Sequence, residues 1–188
     1  MIVQGQTPQP KGSVIWITGL SGAGKTSIAR CLIENIKPLN ERVILLDGDD
    51  LRGALGIHQP ELGHFDRGRR VELGMLFSKL SNLLAGQGFT IIVATISLYK
   101  EIHKWNADHL PNYFEVYLSV PEEELRQRDP KGIYKNFDAG KLSNVVGLDM
   151  EFDEPAFPSL KVEFEQGFDI QQTANFIQME YNAFLSQK

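Results

Sequence analysis

Residues 14–26 constrain this chain more than any other stretch. Val14-Ile15-Trp16-Ile17-Thr18 has the apolar, β-branched and aromatic composition of a buried strand, and it runs straight into Gly19-Leu20-Ser21-Gly22-Ala23-Gly24-Lys25-Thr26. A phosphate chain needs several backbone N–H groups converging on it, and glycines let the backbone curl tightly and approach closely. The helix predicted over residues 25–36 then offers its N-terminal N–H groups and positive dipole end to the same anion. Together these features predict a nucleoside triphosphate site, with Lys25 at the β- and γ-phosphates and the Thr26 hydroxyl on Mg²⁺. A loop that merely caps a helix leaves the pair Lys25-Thr26 without a reason.

Size and charge narrow the field. At 188 residues and 42% hydrophobic, the chain can bury the core of one domain without disulfides or metals. Residues 1–12, polar with two prolines, are expected to be a flexible lead-in, and 13–188 a single domain. A net charge of −5 and the lack of a long basic block argue against nucleic acid as a partner. The one cysteine, Cys31, sits in the first helix at a spacing that suits burial; it excludes an intrachain disulfide and fits a reducing cytoplasm. No apolar run reaches membrane-spanning length, so no membrane partner is expected. His58, His64, His103 and His109 lack metal-ligand spacing, and no zinc site is assigned.

Downstream, strand-like and helix-like segments alternate. Arg42-Val43-Ile44-Leu45-Leu46-Asp47 reads as a second strand ending on a carboxylate, followed at once by Gly48-Asp49-Asp50-Leu51-Arg52. In parallel α/β sheets the working groups gather at the carboxyl ends of strands, which brings Asp47 and Asp49 near the Gly-rich turn and leaves Asp50 as a helix N-cap. From about residue 66 to 85, Val71, Leu73, Leu76, Phe77, Leu80, Leu83 and Leu84 recur at helical spacing. Arg67, Arg69 and Arg70 crowd the start of that helix, where the dipole disfavours cations, which suggests that they hold anions. Residues 89–96 are apolar on both faces, an interior parallel strand with Ser97 and Tyr99-Lys100 at its functional end. A helix around Ile102 and Trp105, a fourth strand over 113–120 and a helix opening with Pro121 at its first position follow. Arg128-Asp129-Pro130-Lys131-Gly132-Ile133-Tyr134-Lys135 is basic and Gly-containing, as expected of a phosphate-covering lid near 128–142. Residues 144–160 read as a Pro-rich loop, 160–165 as a last strand, and 170–185 as a closing helix with Phe176, Ile177, Tyr181, Phe184 and Leu185 inward. The alternation predicts a three-layer α/β/α domain of the P-loop NTPase type, with about five mainly parallel strands.

Four motifs make the chain resemble the adenylylsulfate kinase family: 19–26, Leu46-Asp47-Gly48-Asp49-Asp50-Leu51-Arg52, Ile96-Ser97-Leu98-Tyr99-Lys100, and the lid at 128–135. Asp153-Glu154-Pro155 also falls where that family has a Pro-rich segment near the nucleotide, and the resemblance spans about 13–165. It implies transfer of the γ-phosphoryl group of Mg-ATP to the ribose 3′-hydroxyl of adenylylsulfate, in a homodimer. Carried over by position, Gly19, Ser21, Gly22, Ala23, Gly24, Lys25, Thr26, Ser27 and Arg128 would handle ATP, with Thr26 and Asp47 at Mg²⁺. Lys25 and Asp47 are the catalytic candidates, Asp47 either orienting or deprotonating the acceptor hydroxyl or holding Mg²⁺ through water. Asp49, Arg52, Phe65, Arg67, Arg70, Ile96, Ser97 and Lys131 would face the acceptor nucleotide. Phosphoryl transfer is mostly positioning and charge stabilisation, so no covalent nucleophile is needed.

The departures lie on the acceptor side. The family's acceptor site carries Asp-Arg, then Asn and paired arginines, yet no Asn occurs between Asn40 and Asn82, and both Asp66-Arg67 and Arg69-Arg70 compete for the arginine role. The family's Ser-Pro-Tyr-Arg stands here as Ser97-Leu98-Tyr99-Lys100, without the rigid Pro and the bidentate fork. This pattern is similar to a sister branch that phosphorylates cytidine diphosphoramidate, so two acceptors stay open, with adenylylsulfate leading. A reading of another class, a nucleotide-sensing P-loop switch, is countered by the lid, by the carboxylate-ended strand and by the lack of an Asn-Lys-x-Asp guanine motif.

Overall fold

The computed structural model describes residues 12–57, 65–165 and 169–188. The lead-in up to residue 11 and the histidines at 58 and 64 therefore lie outside the described residues. Five parallel strands form the central sheet: β1 (Ser13–Gly19), β2 (Val43–Asp47), β3 (Thr90–Ala94), β4 (Tyr113–Ser119) and β5 (Leu160–Glu163), in the spatial order β2-β3-β1-β4-β5. All seven residues of β1 and all five of β3 are buried, which is why both read as unbroken apolar runs. At the edge, β5 alternates half-buried Leu160 and Val162 with exposed Lys161 and Glu163, charges that blunt an open sheet edge.

Helices cover both faces. Ile28, Ala29 and Leu32 of α1 (Lys25–Ile36) pack with Ala174 and Ile177 of α7 (Ile170–Leu185) over Ile15, Ile17, Ile92 and Val116. On the other face, Phe77 of α3 (Arg67–Ala85) and Ile102 of α4 (Lys100–His109) cover Val14, Trp16, Ile91 and Val93. Shorter helices follow β2 (α2, Gly48–Ala54) and β4 (α5, Glu122–Arg128), and α6 (Ile133–Asp138) lies inside the segment read as a lid. Registers Ile17↔Ala94 and Asp47↔Ala94 put the ends of β1, β3 and β2 on one level, and the order reverses at β1. A crevice outside the carboxyl ends of the strands follows from that reversal.

Several local expectations shift. Asp47, not Asp50, is the N-cap of α2: its side chain accepts the backbone N–H groups of Asp49 and Asp50. Pro121 stands at the N-cap of α5, one place before the first helical position. In α3 the inward face is turned from the one read from the leucines, leaving Leu76 44% and Leu83 62% exposed while Ser78 and Ser81 are buried. The serines satisfy their hydroxyls locally, donating to Gly74 O at 3.0 Å and Phe77 O at 2.8 Å. Phe176 and Leu185 of α7 also face outward, and Cys31 is half-buried.

Gly74 sets how closely α3 and α4 approach. A Cβ there would stand 2.2 Å from Ile102 Cδ1 and 3.1 Å from Ser97 Oγ, around an Ile102 with no exposed surface. Alanine at a helical glycine gains up to about 1 kcal/mol in propensity, but overpacking a closed core costs about 1–3 kcal/mol. Gly74→Ala should therefore lower the thermal midpoint by several degrees, read by calorimetry; an unchanged or raised midpoint would contradict this packing.

Candidate active site

The crevice is a cavity of about 910 Å³ whose walls come from the loop after β1, the start of α1, α2, one face of α3, the turn after β3, the lid and residues 142–146. Gly22 (φ 82°) and Gly24 (φ 92°) take left-handed backbone conformations that let the chain wrap the head of α1. Lys25 Nζ donates to the carbonyls of Gly19 (2.8 Å) and Leu20 (2.7 Å), lying along its own loop. Thr26 Oγ1 donates to Asp47 Oδ2 at 2.6 Å, joining the first turn of α1 to the end of β2. The other Asp47 oxygen accepts Asp49 N–H at 2.8 Å, so each oxygen of this buried carboxylate has a donor.

Asp49 differs from Asp47 in exposure and company. Its side chain is 48% exposed and pairs with both Lys131 from the lid and Arg52 one turn along α2. Burial works to raise this carboxyl, but the hydrogen bond from Lys131 and the charges of Lys131, Arg52 and Lys25 outweigh it and hold it below the ordinary aspartate value. Lys25 is displaced in the matching sense: burial, then the neighbouring Lys131 charge, bring its amine down to about 7 against the pull of Asp49 and Asp47.

The lid is seated on the loop after β1. Tyr134, buried at the start of α6, donates to Ser21 O at 3.1 Å, and Asp129 Oδ2 caps the helix by accepting Lys135 N–H at 3.0 Å. Arg128 pairs with Glu124 at 2.7 Å and lies over the Phe164 ring at 4.8 Å. Leu73 and Phe77 of α3, with Val145 and Val146, give the cavity an apolar part of its wall.

A phosphate cradle, a carboxylate-ended neighbouring strand and a basic lid thus surround one cavity. Residues 11–163 match the adenylylsulphate kinase family model. The chain belongs to that family. It is 42% identical over 142 residues to the cytidine diphosphoramidate kinase of Campylobacter jejuni, covering 76% of this chain and 81% of that protein. To the adenylyl-sulfate kinase of Pseudomonas aeruginosa it is 35% identical over 153 residues, covering 80% and 76%. The structure of the Mycobacterium tuberculosis APS kinase CysC in complex with AMPPNP and APS superposes with a TM-score of 0.81 at 31% identity, covering 92% of this chain and 99% of that one. The protein is thus a phosphotransferase of the adenylylsulphate kinase family with the P-loop kinase fold.

Most residues singled out in the sequence meet at this cavity: Ser21, Gly22, Gly24, Lys25, Thr26 and Ser27 along the cradle, then Asp47, Asp49, Arg52, Phe65, Arg70, Ile96, Ser97, Arg128 and Lys131. Gly19 and Ala23 stand behind it as backbone and packing; a Cβ at Gly19 would meet Leu118 O at 2.8 Å, and Ala23 has no exposed surface. Arg67 is not in the wall. Its guanidinium forks onto Glu101 (3.0 and 2.9 Å), reaches Asp153 at 3.3 Å and covers the Tyr99 ring. Arg69 pairs with Glu72 on the solvent side, so of the three arginines only Arg70 turns inward, donating to Phe65 O (3.0 Å) and Asn144 O (2.8 Å). Asp153-Glu154-Pro155 also lies off the cavity, Asp153 accepting the Lys100 N–H at the head of α4.

Sequence reasoning missed Leu73, Gly74 and Phe77, whose spacing from Arg70 at one helical face was a usable signal read only as core. It also missed residues 142–146, held by Asp149 accepting the N–H groups of Asn144 (2.8 Å) and Val145 (2.6 Å). No periodic pattern marks such a loop.

An anionic triphosphate beside Lys25 raises an amine that stands near 7 in the free protein. At pH 8 the free amine is mostly neutral while the ligand's phosphates are already ionised, so binding must take up a proton. Titration calorimetry of ATP at pH 8, in buffers of different ionisation enthalpy, should show uptake of nearly one proton in the wild type and none in Lys25→Met.

Proposed function

We propose that this kinase transfers the γ-phosphoryl group of Mg-ATP to the ribose 3′-hydroxyl of a small nucleotide whose 5′-phosphate carries a second tetrahedral group. One observation carries the reading: the half-exposed Asp49 carboxylate lies in the same cavity as Lys25 and Thr26, between Arg52 and the lid's Lys131. The donor end is Ser21, Gly22, Gly24, Lys25, Thr26, Ser27 and Arg128; the acceptor end is Asp49, Arg52, Phe65, Arg70, Ile96 and Ser97. Thr26 Oγ1 and Asp47 Oδ2 are adjacent hard oxygens, which suits Mg²⁺, an ion that takes few protein ligands and draws the rest from phosphate and water. When bound there, the ion neutralises charge on the β- and γ-phosphate oxygens.

Buried, and held by Thr26 and the N–H groups of α2, Asp47 is assigned to the metal side and to holding α2. Asp49 takes the acceptor: its carboxylate accepts the 3′-hydroxyl proton as the new O–P bond forms and the β,γ-bridging bond breaks, releasing ADP. A weakly basic carboxylate suffices, because in a loose transition state the nucleophile needs orientation more than deprotonation. Lys25 meets the charge gathering on the β- and γ-oxygens, and Lys131 closes over the transferring group with water excluded.

Adenylylsulfate follows from the family. Cytidine diphosphoramidate is favoured by the turn that carries Ser97 and Tyr99, where Leu98 and Lys100 stand in place of the Pro and Arg of the adenylylsulfate kinases, and by the higher identity to the Campylobacter enzyme. A coupled ADP-release assay with adenylylsulfate, with cytidine diphosphoramidate and with no acceptor decides the matter; equal release in all three would indicate an ATPase and end the kinase reading. With the preferred acceptor, Asp49→Asn should lower kcat by about 10²–10⁴-fold while the KM for ATP stays within a few-fold. A collapse of ATP binding alone would return Asp49 to the donor side.

A further inference from the structure

Outside the cavity, α4 and β4 enclose a polar cluster that the transfer reaction does not use. Glu115, 5% exposed, points from β4 into the apolar layer under α3 and α4, where a carboxylate needs dedicated donors. It has two: Tyr113 OH donates to Oε1 at 2.8 Å, and His103 Nδ1 lies 2.7 Å from the same oxygen. The other ring nitrogen of His103 stands 3.1 Å from the backbone carbonyl of Asp153. Each ring nitrogen meets one of these oxygens, so the imidazole spans the gap between the Glu115 carboxyl and the Asp153 carbonyl.

Through that carbonyl the cluster reaches the cavity wall. Asp153 N–H donates to Leu98 O at 2.9 Å, and Asp153 Oδ2 accepts Lys100 N–H at 3.1 Å and Arg67 Nη2 at 3.3 Å. Residue 153 thus grips the turn 97–100 from both sides of Tyr99, while Tyr99 OH reaches Met150 Sδ at 3.5 Å at the start of the same segment. That turn supplies Ser97 and Tyr99 to the acceptor end of the cavity. Ser97 stands at φ 21°, a conformation unfavourable for a non-glycine residue that persists only where its surroundings hold it.

We propose that His103 is a positioning residue for the acceptor: by bridging buried Glu115 to the Asp153 carbonyl, it straps residues 150–153 over the turn 97–100 and fixes Ser97 and Tyr99 in the pocket wall. The inference rests on the acceptor-end reading given above. Displacing a binding wall by about 1 Å can cost up to 10²-fold, and His103 touches no part of the donor cradle.

The test is steady-state kinetics of His103→Phe and His103→Gln with the preferred acceptor, together with hydrogen exchange at Tyr99, Lys100 and Asp153. The expected result is an acceptor KM raised about tenfold, an ATP KM within twofold of wild type, and faster exchange confined to those amides. Gln, which keeps one donor, should fall between Phe and wild type. Should the His103 variants fail to fold, Asp153→Asn, on the exposed side of the strap, should show the same KM split in milder form. An acceptor KM unchanged in a folded variant, or ATP and acceptor KM rising together, would overturn the proposal. Wild-type enzyme inert towards every acceptor would instead defeat the acceptor reading; unchanged exchange at the three amides would still defeat the strap by itself.

Discussion

The hydrogen bond from Thr26 to Asp47 is where the two halves of this enzyme meet. Thr26 belongs to the first turn of α1, directly after the cradle; Asp47 closes β2, two strands away across β3. That contact forms only because β1, β3 and β2 end on one level, and they do so because the parallel register is locked by side chains buried on both faces. Donor and acceptor sites in a phosphoryl transfer must be held in line to within a fraction of an ångström. Here a buried sheet supplies that rigidity, and Asp47 passes it on twice: to α1 through Thr26 and to α2 through the N–H groups that it caps. Asp49 owes its place in the cavity to that cap.

Four of the cavity's cations already have protein partners. Lys25 rests on two carbonyls, Arg52 and Lys131 share Asp49, and Arg70 spans the carbonyls of Phe65 and Asn144. A nucleotide therefore exchanges one set of partners for another, and affinity depends on the difference between them. The exchange is uneven. Backbone carbonyls are weak, neutral competitors, whereas the Asp49 carboxylate holds two charges, so phosphates should displace Lys25 and Arg70 more readily than they draw Lys131 and Arg52 away.

How much of this could be read from the chain follows the physics of each element. Central strands and the cradle were legible because burial on both faces and anion geometry tightly restrict residue choice: residues 14–26 and 90–94 could hardly read otherwise. The closing helix was placed correctly over 170–185, yet two of its five supposed core residues face solvent, since periodicity marks a helix better than it marks its inward side. The same uncertainty of rotation exposed Leu76 and Leu83 and hid the cavity role of Leu73, Gly74 and Phe77. The three arginines could not be told apart from spacing alone, because their partners lie on other elements: Glu101 and Asp153 for Arg67, Asn144 for Arg70.

Asp47 and Asp49 show most plainly where sequence reasoning must yield to coordinates. Both are carboxylates at the end of one strand, two residues apart, and charge alone gives them equal claims to the acceptor hydroxyl. Burial separates them. The buried carboxylate, held by Thr26 and by the N–H groups of α2, orients its neighbours, whereas the half-exposed one between Arg52 and Lys131 reaches the open cavity. The Asp-Gly-Asp spacing works because Gly48 is buried and a Cβ there would meet Thr95 Oγ1 at 3.2 Å. The chain turns tightly against β3 and presents the second carboxylate to the crevice while the first stays beneath. Two like groups thus acquire different surroundings through one close backbone approach, and their difference follows from packing.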